Sequence, residues 1–286
     1  MDSRRLLGED PEAFVRKSLL DQLAVLHVVT NAELLGDDPE AIHDFRVAIR
    51  TLRSNLAVFA PYFKKPAKIA AWAKELKWLD GYIQNLRDIE VRVELLGLVA
   101  EDKLQNLISK PGQFQAYRKQ VLTLQAGFGA GSIAARTKLA KALGSERKTK
   151  LFAEISSGLL LAELKQKKIK HLSHDLHALS SERVLAVFAK LAISQQQPQS
   201  YKKLHSLRLE CKRARYLAEA IGSDARALAA AQDLLGQIND LATLNSWLKA
   251  RLLGRRRQRK IMQSLVLQTE LRLEQQLAAL ERLELG

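Results

Sequence analysis

Two segments of the sequence carry basic residues at the same spacing, i, i+3, i+7 and i+10. We name them the first stripe and the second stripe, and each residue of the second lies 162 positions after its counterpart. The members are His43, Arg46, Arg50 and Arg53, and then His205, Arg208, Lys212 and Arg215. On an α-helix this spacing places all four side chains on one side. Because such a seam is normally hydrophobic, a cationic version needs an anionic partner or abundant water. The pattern therefore predicts a surface that holds a polyanion.

Apolar residues occupy another face of both predicted stripe helices. At about 100° per residue, each stripe falls within an arc of roughly 80°, and the apolar residues fall in an arc centred roughly 120° away. The two apolar sets also correspond; they are Phe45, Ile49, Leu52, Leu56 and Phe59, and Leu207, Cys211, Ala214, Ala218 and Ile221. Each helix is therefore predicted to bury one face in the core. Cys211, the only cysteine, corresponds to Ile49 and is interpreted as a core residue rather than a nucleophile.

A solvated helix surface is the alternative explanation of either stripe. Such surfaces usually include acidic residues at i+4, which support the helix, whereas no stripe position is acidic in either copy. Two copies in matching register favour a functional role. Ten residue steps cover about 15 Å of helix, a length that suits successive phosphates of a chain better than one small anion. The histidine that begins each stripe either hydrogen-bonds the nearby backbone or contacts phosphate.

A second repeated element relates Arg87-Asp88 to Asn239-Asp240, at an offset of 152. The acid is the residue that both copies share, so Asp88 and Asp240 are the candidates for orienting the basic side chains. Arg87 and Asp88 could instead form an exposed ion pair, worth under about 1 kcal/mol. The functional hypothesis predicts a buried aspartate beside the basic groups.

The charge balance narrows the class of partner. Lysine and arginine number 46 against 31 acidic residues, a formal net charge of +15. Such an excess indicates nucleic acid, an anionic membrane or a phosphate polymer as the partner. A single cysteine excludes an intramolecular disulfide. The N-terminus does not resemble a signal peptide, and no stretch approaches the ~20 apolar residues of a membrane span, so we expect a soluble cytoplasmic protein.

Residue content and periodicity predict an all-α chain. Glycine and proline total only 20 residues, and no segment alternates as a strand would. The segment after Asp38-Pro39-Glu40 is predicted as a helix to about Ala60, and Gly222-Ser223-Asp224 is predicted to cap another that leads to 234–240. Further helices are predicted at about 11–35, 67–85 continuing towards 103, 113–126, 132–143, 146–164, 180–194, 201–221 and 241–285. The repeat indicates a duplication within one domain, 1–286, whose halves are 1–144 and 145–286.

The repeated segments resemble the CHAD family, the conserved histidine α-helical domain. The matching stretches are 38–53 and 85–91 in the first half, and 204–216 and 232–240 in the second. The resemblance implies two pseudo-symmetric four-helix bundles with a basic cleft or pore between them. It also implies binding of inorganic polyphosphate and an association with polyphosphate granules. Thr51 departs from the family pattern, which often has a basic residue there, as Arg213 is in the second copy. Gln84 likewise stands where the second copy has Gly236.

The resemblance also implies which side chains would face the anion. From the first half these are His43, Arg46, Arg50, Arg53 and Arg87. From the second half they are His205, Arg208, Lys212, Arg213 and Arg215. Some family members are fused to a triphosphate-tunnel enzyme domain, whose Glu-x-Glu-x-Lys strand is missing from this sequence. The expected function is therefore that of a stand-alone binding module.

Other constellations do not indicate an enzyme or a cofactor. The sequence contains no Walker loop, Gly-rich dinucleotide motif or nucleophile elbow. Asp88 and Asp240 alone do not form the carboxylate set that Mg²⁺-dependent phosphoryl chemistry usually needs. His171, His174 and His177 have a spacing that could suit a metal, but four lysines within 165–170 would repel a cation. We therefore expect no catalytic residue, no metal and no cofactor.

Three alternatives to polyphosphate binding stay open. The first is nucleic-acid binding, which is disfavoured because exposed aromatic residues for base stacking are sparse near the stripes. The second is a scaffold on anionic granules or membranes, and the third is a cryptic phosphatase. The basic segments 165–177 and 255–260 are interpreted as surface segments, and whether they contribute to binding is left open.

Overall fold

The computed structural model describes residues 10–30, 39–107, 109–197, 199–252 and 259–284. Within these ranges the regular structure is helical, and the one β-bridge joins Phe63 to Leu164 without a strand around it. The predicted all-α class is confirmed. None of the helices in this described portion is long and apolar enough to cross a membrane.

Eleven α-helices account for most of the described residues. In chain order they are α1 (Pro11–Val29), α2 (Pro39–Phe59), α3 (Pro66–Gln105), α4 (Pro111–Ala126), α5 (Gly129–Leu143), α6 (Glu146–Leu161), α7 (Gln166–Ile169), α8 (Leu172–Gln196), α9 (Tyr201–Ala220), α10 (Arg226–Leu252) and α11 (Arg259–Glu281). A 3₁₀ turn, Ala60–Tyr62, follows α2.

Local sequence explains where several helices begin and end. The first four each start at a proline, whose fixed φ and missing N–H suit the first helical position. Asp10 caps α1 by accepting from the backbone N–H groups of the first turn. Ser145 caps α6 in the same way. After α9 the chain turns at Gly222, whose φ of 71° is one that other residues rarely adopt.

Two predicted boundaries were wrong. Residues 241–252 do not begin a new helix, because α10 runs unbroken from Arg226. The single Gly236 costs a helix about 1 kcal/mol, which the buried side chains on either side of it outweigh. The basic segment 165–177 is not a connection but contains α7 and the start of α8. Ile169, Leu172 and Leu176 are buried there at helical spacing.

Some expectations fall where the structure gives no description. The prediction that α1 extends to residue 35 concerns a stretch of which 31–35 lie outside the described residues, as does the predicted cap Asp38. Gly254 and the arginines at 255–257 also lie outside them. The predicted segment 67–85 and its continuation towards 103 form one helix, α3, of 40 residues.

The chain forms two compact units, each of which draws on both sequence halves. Unit 1 comprises the described residues of Met1–Leu86, Ala135–Ala186 and Arg213–Arg226. Unit 2 comprises those of Arg87–Ala134, Val187–Lys212 and Ala227–Gly286. The predicted halves 1–144 and 145–286, their pseudo-symmetry and the cleft between two bundles stay predictions.

Unit 1 has a core in which α1 packs on α2 and α6. Phe14 of α1 meets Phe59 of α2 edge to face, with ring centroids 6.2 Å apart. Gly158 of α6 lies so close to Trp72 of α3 that a Cβ at this position would come within 2.4 Å of the indole ring. The close approach of α3 to α6 therefore depends on glycine.

An arginine of α1 forms hydrogen bonds with backbone carbonyl groups at the C-terminal end of α6 in unit 1. Arg16 Nη1 donates to the carbonyl oxygen of Leu159 at 2.6 Å, and its Nη2 donates to that of Ala162 at 2.6 Å. Glu12, one turn earlier, holds the same guanidinium at 2.7 Å. These bonds satisfy carbonyls that the end of a helix leaves without partners.

Unit 2 is held together by stacked rings and a bidentate ion pair. Phe128, just before α5, stacks on Trp247 of α10 with centroids 4.9 Å apart. The guanidinium of Arg251 lies 3.8 Å from the centroid of the same indole ring. Arg272 of α11 donates to both carboxylate oxygens of Asp102 on α3, at 2.7 and 2.8 Å.

Candidate functional site

The first stripe lies on α2 with the burial that its spacing predicts. His43 is exposed, and Arg46, Arg50 and Arg53 are half-buried. The apolar face of the same helix is enclosed: Phe45 is 1% exposed and Phe59 is fully buried. Half-buried arginines cover apolar surface with their aliphatic stems and keep the charged heads near water. The helix therefore presents its cations along the edge of the core face.

The second stripe repeats this arrangement on α9. His205 is exposed, and Arg208, Lys212 and Arg215 are half-buried, as their counterparts are. All five apolar counterparts are buried; they are Leu207, Cys211, Ala214, Ala218 and Ile221. The prediction of a core face on each stripe helix is confirmed.

Cys211 is an enclosed thiol and not an activated one. Its side chain is fully buried on the core face of α9. Burial raises the pKa of the Cys211 thiol to about 12, so the thiolate form is scarce at neutral pH. The structure thus supports the interpretation of Cys211 as a core residue.

Acidic and amide side chains of α3 contact the first stripe in unit 1. Asp80 accepts from Arg50 Nε at 3.4 Å and forms an ion pair with Arg53 Nη1. Gln84, one turn further along α3, accepts from Arg50 Nη2. The carbonyl oxygen of Ala73 accepts from Arg53 Nε at 3.2 Å. Two of the four stripe residues are thereby fixed in position by α3.

The second stripe meets α10 in unit 2 through different residues. His205 Nδ1 lies 2.8 Å from Asn239 Oδ1, and Asn239 Nδ2 donates to Asp240 at 3.0 Å. Gly236 lies close to Arg208: a Cβ added to this glycine would be 3.5 Å from Nε of the arginine. Asp240 is therefore linked to His205 through Asn239. Asn239, which replaces the arginine of the first copy, is the residue that makes this link.

Tyr216, on the last turns of α9, belongs to the charged cluster around the first stripe in unit 1. Burial raises the pKa of the Tyr216 phenol, while the positive charges of Arg50, Arg215 and Arg46 act to lower it. A charge influences a neighbouring pKa in this way only at short range. Unit 1 therefore brings Arg215 and Tyr216 close to the stripe of α2.

The expected burial of Asp88 was wrong. Asp88 is exposed on α3, and Asp240 is half-buried on α10. Arg87 is half-buried and lies 3.9 Å from Glu90 and 3.8 Å from Glu94. Because a 3.6-residue period turns position 88 away from buried Leu86, the acid that enters the arginine cluster is Asp80, two turns earlier on α3.

Three further predicted features lie on the surface. Arg213 is exposed and points to a different side of α9 from the second stripe. His171 and His174 are exposed, and His177 Nδ1 lies 2.7 Å from the carbonyl oxygen of Ser173. Among the described residues no group of three or more His, Cys, Asp or Glu could hold a metal ion.

The sequence profile of the CHAD domain matches residues 19–249, a range that contains both stripes and their contacts on α3 and α10. The chain belongs to the CHAD domain family. A comparison with curated proteins gives no match.

Two solved structures are similar to this CHAD domain. The crystal structure of the CHAD domain from the plant Ricinus communis has a TM-score of 0.68 and 22% identity, over 95% of this chain and 89% of the other. PptA from Streptomyces chartreusis has a TM-score of 0.68 and 17% identity, over 96% of this chain and 99% of the other. At these identities the likeness concerns the fold.

Sequence reasoning missed Asp80 and gave no role to Gln84 in this CHAD domain. Asp80, Gln84 and Arg87 follow one another at i, i+4 and i+7, so they share a face of α3. A search of the sequence for polar residues at that spacing could have identified them. The repeat concealed Asp80, because its counterpart 152 positions later is Gln232 and not an acid.

Proposed function

We propose that this CHAD domain binds inorganic polyphosphate through its two stripes and does not hydrolyse it. The observation that supports this proposal most directly is the shared burial pattern of the two stripes. In each, the histidine that comes first is exposed and the three cations after it are half-buried. Each stripe is about 15 Å long, enough for several consecutive phosphates. Membership of the family, whose members bind polyphosphate, supports the same ligand class.

The side chains around the first stripe favour a phosphate chain over nucleic acid. Single-stranded nucleic acid is usually held by aromatic rings that stack on the bases. Phe45 and Phe59, the aromatic residues of α2, are enclosed in the core and cannot stack on a ligand. Tyr216 is half-buried among arginines. What the first stripe offers a ligand is charge and hydrogen-bond donors, which a phosphate chain can use at every unit.

The contacts of Asp80 argue against a role in metal-assisted hydrolysis. Catalytic Mg²⁺ is usually held by carboxylates that have oxygen atoms to give it. Asp80 is the acid in contact with the first stripe, and both of its oxygens bind arginines. Beside the second stripe, Asp240 accepts a hydrogen bond from the side chain of Asn239. A binding role fits these contacts better than a phosphatase role.

We further propose that both stripes act on one polyphosphate chain and that the bound polymer recruits the protein to polyphosphate granules. A ligand held by one stripe meets the other at high effective concentration, so the two halves gain affinity jointly. The remaining proposed contacts are those of Arg87, Arg213 and Arg215, with Asp240 as an orienting acid.

A competition titration tests the proposed ligand. Labelled long-chain polyphosphate is displaced by unlabelled polyphosphate, single-stranded DNA, RNA or ATP, each at equal total charge and at two salt concentrations. We expect polyphosphate to displace the label at the lowest concentration, and binding to weaken steeply with salt because condensed counterions are released. Equal displacement by DNA or RNA at moderate salt would reject the specificity. The same mixtures with Mg²⁺ or Mn²⁺ should release no phosphate.

A further inference from the structure

The surroundings of the two stripes differ at one position of the neighbouring helix. In the first copy this position contacts Arg50 and Arg53, the last two cations of the first stripe. Asp80 of α3 forms ion pairs there with Arg50 and Arg53. The offset of 152 that relates α3 to α10 makes Gln232 the counterpart of Asp80. An ionised carboxylate in one copy therefore corresponds to a neutral amide in the other.

The ion pairs of Asp80 are partly enclosed by the surrounding side chains. The side chain of Asp80 is 13% exposed, and those of Arg50 and Arg53 are 15% and 25% exposed. Water and salt screen such a cluster less than they screen exposed charges. A phosphate that approaches these two arginines must compete with a carboxylate that is already in contact with them.

Other contacts hold the two arginines around this carboxylate. Gln84 accepts from Arg50, and the carbonyl oxygen of Ala73 accepts from Arg53 at 3.2 Å. The guanidinium groups thus converge on one anion even when no ligand is bound. The carboxylate of Asp80 occupies the place where their charges would otherwise meet a phosphate oxygen.

In the second copy the position that corresponds to Asp80 is a neutral amide, Gln232. The Oε1 atom of Gln232 is buried without a hydrogen-bond partner among the described residues, as is the Nε atom of Arg208. Arg215 does pair with Glu219 at 2.6 Å, but the glutamate is 43% exposed and one turn away on the same helix. Such an exposed pair opposes a ligand only weakly.

We propose that Asp80 is an internal competitor for the ligand at the first stripe. This inference rests on the proposed function, in which the stripes bind polyphosphate. Asp80 sets the strength of binding rather than contributing to it: its charge keeps two arginines ordered and partly neutral until a ligand of higher charge displaces it.

Two isosteric substitutions with opposite charge test the role of Asp80. Asp80→Asn removes the carboxylate and should tighten polyphosphate binding about fivefold at moderate salt, with a steeper dependence on salt. Gln232→Glu adds a carboxylate at the counterpart position and should weaken binding about as much. Glu182→Gln, at an exposed position of α8, makes the same change in net charge as Asp80→Asn and is the matched control.

The direction of the change separates this role from a structural one. If Asp80 positioned the arginines for the ligand, Asp80→Asn would bind more weakly, and the inference would be wrong. An affinity equal to that of Glu182→Gln would also reject it. Urea unfolding of Asp80→Asn with and without polyphosphate gives a second readout that is independent of titration. We expect lower stability without ligand and a larger gain on adding it than in the wild type.

A second polyanion, heparin, separates this inference from the proposed ligand. If the wild type binds heparin but not polyphosphate, the proposed ligand is wrong. Tighter heparin binding by Asp80→Asn would still support its role as a competitor. If the wild type binds polyphosphate and Asp80→Asn does not bind it more tightly, the role of Asp80 alone is rejected. Wild-type protein that binds neither polyanion refutes both.

Discussion

The two stripe helices carry equivalent charges on one face and very different volumes on the other. The core face of α2 has two phenylalanines and three large aliphatic residues, whereas that of α9 has a cysteine and two alanines among its five positions. All ten side chains are nevertheless buried. The core can thus be filled in two ways while the spacing of the cations stays the same. The charge pattern is the feature that the two copies share.

The small side chains on the core face of α9 fill less of the core than the large ones of α2. Protein interiors are close-packed, so the volume that α9 does not supply must come from the helices around it. The two faces of each stripe helix therefore have separable roles. Substitutions on the charged face should alter binding, and substitutions on the core face should alter stability.

The largest expected effect is the loss of polyphosphate binding when basic residues of both stripes are replaced by alanine. The variant with Arg46, Arg50, Arg208 and Lys212 all changed to alanine should lose polyphosphate affinity on the order of a thousandfold, because four charge-assisted contacts are removed. Arg208→Ala/Lys212→Ala should weaken binding more than Arg46→Ala/Arg50→Ala, since Asp80 already neutralises part of the first stripe. Isothermal titration checks the affinities, and circular dichroism checks that helix content is retained.

The pattern of binding by the double variants also tests the shared site. Lys150→Ala/Arg226→Ala removes two exposed cations from other helices and is the matched control. If each stripe variant retained half of the binding sites at unchanged affinity, the stripes would act as independent surfaces. A single class of weakened sites supports one polyphosphate chain held by both.

A smaller effect, on the free energy of unfolding, is expected when a large residue of a core face is replaced by alanine. Phe45→Ala should lower the free energy of unfolding by about 3–5 kcal/mol, and Leu207→Ala by about 2–5 kcal/mol, because each leaves a cavity. Urea unfolding followed by circular dichroism measures both. Polyphosphate affinity at a temperature where the variants are folded should stay within about twofold of the wild type. A large loss of affinity in a folded core variant would contradict the separation of the two faces.

The smallest effect concerns Cys211 at alkaline pH. Its pKa is raised by burial to about 12, whereas an unfolded thiol titrates near 9.0. The unfolded state therefore loses its proton first, and the stability due to the neutral thiol, complete below pH 9, falls as pH rises towards 12. Relative to Cys211→Ala, the wild type should lose about 1 kcal/mol between pH 8 and 10. Parallel stability curves for the two proteins would show that the thiol is not shielded.

Sequence periodicity predicted the parts of the fold in which one helix face is buried. The core faces of α2 and α9 followed from apolar residues at helical spacing, and both stripes lay where that spacing placed them. The continuation of α10 past Asp240 was not predicted in this way, although Leu241, Leu244 and Leu248 are buried there. Tertiary packing decided that helix, and packing is not visible in local sequence.

The candidate site was predictable as a charge pattern but not as a set of contacts. Comparing the two copies selected residues that both share, and this comparison chose Asp88, which is exposed. Asp80, which does contact the arginines, differs from its counterpart, so the comparison of the two copies did not select it. A repeat identifies what two copies have in common, whereas the properties that distinguish the copies depend on residues present in only one of them.

The contact between Arg16 and the end of α6 has a consequence for the order in which unit 1 forms during synthesis. The acceptors of Arg16, at Leu159 and Ala162, are made more than 140 positions after it. α1 can pack on α2 soon after both have left the ribosome, yet its guanidinium cannot be fully bonded until α6 is complete. While the residues between them are made, α1 can hold this guanidinium only through Glu12 and not through its acceptors on α6. The closing of unit 1 is accordingly a late, long-range step rather than a local one.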